Sequence, residues 1–144
     1  MNIYHTLDTI NINNITFYKA ILNKLSHYIY FYKIIYSIET FTLNALLIEV
    51  ELKDIFIIKE GASYKVSFTI DPIFLEKIKQ FEIKSLIGLN QLVQKQIVHS
   101  CFKYLTHSRT VYTIDEPIIK VCLRISGVWE SDTHIGLTSK LTCY

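Results

Sequence analysis

The amino-acid sequence predicts a mainly β protein in which one helical segment lies between two groups of short strands. The first observation is strict alternation of apolar and polar residues on both sides of the helical segment, at residues 64–70 and 118–126. The second is a stripe of apolar residues at helical spacing over residues 72–105. About five or six strands with one helical insertion fit an α+β arrangement or a small, partly open β-barrel.

The composition indicates one ordered domain. The chain has 144 residues, half of them apolar, with only four glycines and two prolines. A chain of this length can bury a hydrophobic core, and no segment has the composition of a linker or a disordered region. We expect a polar N-terminal lead-in at residues 1–14 and one domain over residues 15–144. The formal charge of +2 is too small to predict a ligand, so any such argument depends on local arrangement.

The cysteines and the N-terminus bear on the compartment. Cys101, Cys122 and Cys143 are odd in number and widely spaced, which does not fit a disulfide framework. The N-terminal segment lacks the basic and apolar regions of a signal peptide. Lys, Glu or Asn interrupt the longest apolar stretches before they reach the length of a membrane span. The sequence therefore predicts a soluble protein of a reducing, intracellular compartment, with no membrane partner.

The strands of the N-terminal half follow from alternation and from aromatic and β-branched residues. They are predicted at residues 15–22, 28–38, 41–52 with a continuation at 54–59, and 64–70. In the second of these, alternation places Tyr28, Tyr30, Tyr32 and Tyr36 on one face. Two interpretations of that face stay open. The rings pack against another layer of the protein, or some of them form a platform on which bases stack.

The helical insertion begins at a clear signal. Asp71 is a typical N-cap and Pro72 is favoured in the first helical turn. Phe74, Ile78 and Phe81 follow at helical spacing, and a second stripe runs from Leu86 to Tyr104. We expect one bent helix, or two in succession, over residues 72–105. A short strand at residues 109–114 follows.

The C-terminal residues 117–144 predict a hairpin of two strands joined by a short polar loop, with the only tryptophan, Trp129, at the turn. In its first strand, alternation separates an apolar set from a polar set. The apolar set is Ile119, Val121, Leu123 and Ile125, and the polar set is Lys120, Cys122, Arg124 and Ser126. If the strands pair, Lys120, Arg124 and Lys140 share one outer face beside Trp129.

Groups that could carry catalysis are scarce. The five histidines are not spaced as metal-ligand pairs, and the chain has no Cys-x-x-Cys, phosphate-binding glycine loop or Gly-x-Ser-x-Gly motif. The nearest acidic cluster is Glu130 and Asp132, and with His134 it gives the weakest alternative, a small hydrolase. We expect no enzyme activity, no cofactor and no bound metal.

Basic and aromatic residues interleave at several places, which favours a binding protein. Aromatic rings stack on bases of any sequence, and Lys or Arg contacts to phosphates add a salt-dependent attraction. The residues predicted to bind nucleic acid are Tyr18, Lys19, Tyr30, Tyr32, Lys33, Lys120, Arg124, Trp129 and Lys140. We expect single-stranded DNA as the ligand, with RNA as the alternative.

The order of segments resembles the phage-type single-stranded-DNA-binding proteins of large double-stranded DNA viruses. The resemblance is carried by Phe17-Tyr18-Lys19-Ala20-Ile21-Leu22-Asn23, by Tyr64-Lys65-Val66-Ser67-Phe68, and by the Trp129 segment WESDTHIGLTSK. It implies an OB-fold barrel that coats unpaired DNA during viral replication and recombination, often as a dimer, in the infected cell or the virion.

Two departures from the family pattern leave an alternative open. Members of the family often carry an acidic C-terminal tail, whereas Cys143-Tyr144 directly follows the last predicted strand here. Ala20 stands where the family often has proline. The alternative is a structural or scaffold viral protein that self-associates through its aromatic strands. The position of the tyrosines distinguishes the two.

Overall fold

The structure is a computed structural model that describes residues 3–22, 30–116 and 120–143. The strands, in chain order, are β1 (Tyr4–His5), β2 (Ile15–Leu22), β3 (Tyr30–Ile38), β4 (Phe41–Leu43), β5 (Leu46–Glu49), β6 (Leu52–Glu60), β7 (Ser63–Ile70), β8 (Gln96–Val98), β9 (Arg109–Thr113), β10 (Val121–Glu130) and β11 (His134–Cys143). The helices are α1 (Pro72–Val93) and α2 (Ser100–Leu105), and two short 3-10 turns are formed by Leu7–Thr9 and Ile12–Asn14.

The large sheet is organised around β10. Along one edge, β10 pairs antiparallel with β11, and along the other it pairs first with β5 and then with β3. The partner changes at a β-bulge, where the register shifts between Ile125 and Gly127. A bulge bends a strand and increases its twist, so the sheet curls into a half-barrel. Strands β1, β2, β4 and β8 extend its margins.

The small sheet contains three described strands in the order β6–β7–β9, all antiparallel. The β6–β7 turn uses Gly61 with a positive φ of 61°. Strand β6 also contains a bulge, because its register with β7 shifts between Lys53 and Phe56. Asp54 has a φ of 50° there.

One hydrophobic core joins the two sheets and the helices. The large sheet contributes alternate residues of β10, such as Leu123 and Ile125, and the small sheet contributes Phe68. Helix α1 covers them with the predicted stripe, of which Phe74 and Ile78 are at most 1% exposed. Full burial of each such side chain contributes about 1.5–3 kcal/mol to folding.

The ends of the helices explain the bounds of the insertion. The Asp71 side chain accepts a hydrogen bond from the Ile73 amide at 3.1 Å, so the predicted N-cap is confirmed. Helix α1 ends where Gln94 takes a left-handed conformation, with φ at 53°. The fully buried carboxylate of Glu82 then accepts hydrogen bonds from the amides of Cys101 (2.6 Å) and Phe102 (3.2 Å), at the start of α2. Burial raises the pKa of Glu82, and these two bonds oppose that shift.

The mainly β class with an inserted helix is confirmed, and the half-barrel of the large sheet is consistent with the OB-like fold. The strand bounds at 15–22 and the pairing of β10 with β11 as a hairpin agree with prediction. The predicted place of Trp129 at the turn is wrong, because β10 continues to Glu130 and Trp129 pairs with Gly136 inside the ladder. Residues 28–29 and 117–119, included in predicted strands, lie outside the described residues.

Three further details differ. Residues 41–52 form three strands instead of one, and Leu52 begins the small sheet, so the described strands outnumber the five or six expected. The helical insertion is interrupted by β8, which pairs with β11 and takes Ile97 out of the helical stripe. The lead-in is packed, because β1 pairs with β5 and Leu7 contacts the core. Pairing with distant strands decides all three details, and no local pattern encodes it.

Neither helix in the described part of the chain combines the length and the apolar composition that crossing a membrane requires.

Candidate nucleic-acid interface

The large sheet has one face on the core and a second face directed away from it, here called the open face. Before the bulge, Leu123 and Ile125 of β10 face the core, so Arg124 faces outward. After the bulge the phase changes, and Val128 and Glu130 are buried while Trp129 faces outward. Cross-strand partners share a face. The pairing register therefore assigns these ring-bearing or cationic side chains to the open face: Tyr18, Phe31, Lys33, Arg124, Trp129 and Lys140.

Tyr18 and Lys33 form the first part of this surface. They are directly opposite each other on β2 and β3, so their Cβ atoms are about 5 Å apart. Tyr18 is 57% exposed, an unusually high value for a large ring, and Lys33 is exposed. An exposed ring beside an exposed ammonium can bind a base and its phosphate together.

Phe31 and Trp129 form the second part, and each ring lies over a glycine. A Cβ atom at Gly127 would come within 2.5 Å of the Phe31 ring, and one at Gly136 would come within 2.6 Å of the Trp129 ring. Both rings are half-buried, and Phe31 and Trp129 are directly opposite each other across β3 and β10. The Trp129 indole N–H donates to the Ser100 hydroxyl at 3.2 Å. Because Gly127 and Gly136 have no side chain, the two aromatic rings can pack closely against the sheet.

Arg124 and Lys140 form the third part. They are directly opposite each other on β10 and β11, and both are exposed. Arg124 also lines a cleft of about 310 Å³ whose other residues include Phe41, which is 47% exposed. Trp129 is five residues further along β10, a distance of roughly 16 Å at the usual rise of a strand.

The charge of the open face is mainly positive. Among the described side chains of the paired strands, Lys33, Arg124 and Lys140 are the cations of this face, and Glu49, opposite Cys122, is its carboxylate. Lys120 is exposed and directly precedes β10. Lys19 pairs through its backbone with Tyr32, and its side chain lies outside the described part of the structure.

The predicted stacking roles of Tyr30 and Tyr32 are corrected, because both face the core. Tyr32 is 7% exposed, and its hydroxyl donates to Glu130 Oε1 at 2.5 Å. Burial, followed by the nearby Glu130 carboxylate, raises the pKa of Tyr32 well above its usual range. Tyr30 is half-buried against the same core, and Tyr36 is 2% exposed. The packing interpretation of these three tyrosines is therefore the right one, while Tyr28 lies outside the described residues.

Glu130 belongs to this buried group. Its second oxygen accepts from the Lys95 ammonium, which also donates to the Ser131 carbonyl at 2.6 Å. The carboxylate is therefore directed inward, whereas Asp132 is exposed in the β10–β11 loop. The described residues contain no group of three or more His, Cys, Asp or Glu side chains that could hold a metal ion.

Two aromatic residues of this region were not among the predicted site residues. Alternation along residues 28–38 places Phe31 on the same face as Lys33, but Phe31 is not among the residues predicted to bind nucleic acid. A glycine within a strand often marks close approach of another group, so Gly127 and Gly136 were the available signal. Phe41 could not be found from sequence, because its place beside Arg124 depends on the pairing of β4 with β3 and of β5 with β10.

Comparison of the chain with models of known protein families, with curated proteins and with solved structures finds no match.

Proposed function

We propose that this protein binds single-stranded DNA on the open face of its large sheet, without catalysing a reaction. The observation that supports the proposal is the presence of exposed or half-exposed rings and cations on one accessible face: Tyr18 with Lys33, Phe31 with Trp129, and Arg124 with Lys140. Stacking contributes about 1–3 kcal/mol per base, and the cations add a sequence-independent attraction to phosphates.

The resemblance to viral single-stranded-DNA-binding proteins extends the proposal to a biological setting. A protein of that kind coats unpaired DNA during replication and recombination in the infected cell. The mainly β fold with a curled sheet is compatible with this proposal. In the proposed complex the single strand of nucleic acid lies along β10 on the open face. Single-stranded RNA presents the same rings and phosphates, so the comparison of DNA with RNA belongs in the binding experiment.

The test of the phosphate contacts is a titration of the protein with an oligothymidine, followed through the fluorescence of the single tryptophan. Affinity should fall as salt rises. Arg124→Glu should weaken binding by about tenfold or more and reduce the salt dependence, because it replaces a phosphate contact with a repulsive charge. Lys84→Glu, the same charge change on an exposed residue of α1, is the control and should leave affinity within about twofold. Equal effects of the two variants would mean that only the net charge matters.

The test of stacking uses two exposed tyrosines in similar surroundings. Tyr18 faces Lys33 on the open face, and Tyr112, which is 65% exposed, faces Lys65 on the small sheet. Tyr18→Ala should cost about 1–3 kcal/mol of binding free energy, and Tyr112→Ala should cost almost none. Unchanged affinity for Tyr18→Ala would remove stacking from the proposal. Parallel titrations with double-stranded DNA and oligouridine determine the preferred form of nucleic acid.

The alternative was a structural protein that self-associates through its aromatic strands. Tyr32 and Tyr36 pack in the core of their own chain, so they are not exposed to a second copy. The longest run of consecutive exposed apolar residues in the described part of the chain lies on β6 instead.

A further inference from the structure

Strand β6 has an unusual combination of position and composition. It is an edge strand, since the described strands of its sheet pair in the order β6–β7–β9. Every residue from Lys53 to Glu60 is exposed. At its centre are four consecutive apolar residues, Ile55, Phe56, Ile57 and Ile58, which are 51%, 65%, 50% and 55% exposed. Edge strands are usually protected by central charges or proline, because a free apolar edge pairs readily with another strand.

The apolar residues occupy both faces of β6. Phe56 and Ile58 are opposite Ser67 and Lys65 of β7, on the face that also carries the exposed Tyr112 of β9. Ile57 is opposite Val66, on the face directed to the core. A run of four apolar residues along an edge that has no central charge or proline is typical of a strand that pairs with a further strand. The composition of β6 therefore fits a strand with a neighbour on each side.

We propose that β6 pairs antiparallel with β6 of a second copy of this chain, around a two-fold axis at Ile57. The two small sheets then form one continuous six-stranded sheet across the dimer. In such a pair the axis is perpendicular to the sheet, so each residue must be opposite one that points to the same face. Centring the axis on Ile57 places Ile57 opposite itself and Phe56 opposite Ile58 of the second copy, which satisfies this condition.

The charges at the ends of β6 select the same register. The bulge at Asp54 and Ile55 places two residues at one position of the ladder, opposite Phe68. Counted in this way, Glu60 lies opposite Lys53 of the second copy, and Lys59 lies opposite its Asp54–Ile55 bulge. By the same count, Lys53 and Glu60 point to the same face as Phe56 and Ile58. The apolar centre is thus flanked by opposite charges at both ends.

Neighbouring registers lack this complementarity. With the axis at Phe56, Lys53 would lie opposite Ile58, and with the axis at Ile58, Glu60 would lie opposite Phe56. Either shift places a charge opposite an apolar side chain instead of opposite a charge of the other sign. The sequence of β6 is therefore complementary to a second copy of itself in one register. This surface is separate from the open face that we propose for DNA.

The experiment is sedimentation equilibrium of the full chain over a range of concentrations, with circular dichroism as the check on folding. The wild-type protein should show a monomer–dimer equilibrium. Ile57→Lys places two ammonium groups opposite each other at the axis and should yield a monomer. Ile73→Lys, at a residue of α1 that is 66% exposed, is the control and should dimerise as the wild type does. A monomeric wild type, or a dimer that survives Ile57→Lys, would overturn the proposal.

A charge exchange tests the register and does not depend on the Ile57 variant. Lys53→Glu and Glu60→Lys should each raise the dimer dissociation constant about tenfold, because each creates two symmetry-related pairs of like charge. The double variant with both changes should restore the wild-type constant. Failure of the double variant to restore dimerisation would exclude the register centred on Ile57. Binding of a short oligothymidine by monomeric Ile57→Lys reports on the proposed function separately.

Discussion

At the scale of single residues, one buried polar group connects three segments of the chain. Tyr32, Glu130 and Lys95 connect β3, β10 and the segment after α1 inside the protein. A buried carboxylate is costly unless donors surround it, and removal of one donor leaves much of that cost uncompensated. A shifted register between β3 and β10 would separate these groups, so the hydrogen bonds favour the observed one.

The contribution of the Tyr32 hydroxyl can be measured by its removal. Tyr32→Phe should lower the free energy of unfolding by about 1–3 kcal/mol, because Glu130 loses a hydrogen bond in the core. Tyr18→Phe, which removes the same hydroxyl from an exposed ring, should change it by less than about 0.5 kcal/mol. Urea unfolding of both variants is the measurement. Equal losses would show that the Tyr32–Glu130 bond is not important for stability.

His5 gives the protein a predictable dependence on pH. Burial lowers the pKa of His5 below 6.5, and its imidazole packs edge-on to the Tyr36 ring at 5.3 Å. The buried Nε2 has no hydrogen-bond partner among the described residues. Between the folded pKa and 6.5 the unfolded chain binds more protons than the folded one. The free energy of unfolding should therefore fall as pH is lowered through that window.

The experiment is urea unfolding at a series of pH values from about 7.5 to about 5.5, a range that covers the onset of this window. His5→Gln should reduce the loss of stability on acidification, because its side chain does not titrate. His107→Gln, at an exposed histidine, should keep the wild-type slope. A His5→Gln slope equal to that of the wild type would assign the acid sensitivity to other groups.

At the scale of elements, two glycines shape the open face of the large sheet. Gly127 follows the bulge of β10, and a Cβ atom there would collide with the Tyr32 carbonyl oxygen and the Phe31 ring. Gly136 of β11 makes room for the Trp129 ring in the same way. These residues cost conformational entropy in a strand, and the close approach of the rings explains their presence.

Gly127→Ala should destabilise the protein by about 1–3 kcal/mol, because β3 or the Phe31 ring must shift to accommodate a methyl group. Gly88→Ala is the matched control, since a Cβ atom at that position of α1 meets nothing within 4 Å. In a helix this replacement should stabilise by about 0.5–1 kcal/mol. Thermal unfolding of the two variants is the measurement, and shifts of the same sign would contradict this account.

At the scale of the whole molecule, the two proposed surfaces belong to different sheets. The open face lies on the large sheet, and the β6 edge lies on the small sheet across the shared core. A dimer formed through β6 would carry two open faces, and two linked sites bind a long strand more tightly than either site alone. Variants of β6 should leave the affinity of a single open face for a short oligonucleotide unchanged. Variants of the open face should leave the dimer dissociation constant unchanged.

The sequence by itself determined the features that depend on local periodicity and capping. The strands at residues 15–22 and 64–70, the N-cap at Asp71 and the alternation around Arg124 follow from side chains that are near neighbours in the chain. Amphipathic spacing and caps act within a few residues, so they can be recognised without a partner element.

Only the tertiary structure decided which side chains meet across elements. Tyr30 and Tyr32 alternate with Phe31 and Lys33, and the sequence could not tell which of the two faces the core provides. The packing of α1 and the small sheet against the large sheet made that choice, which buried the tyrosines and left Phe31 and Lys33 on the open face. The bulge in β10 then turned Trp129 to the same side as Arg124, because one extra residue reverses the phase of every position that follows it.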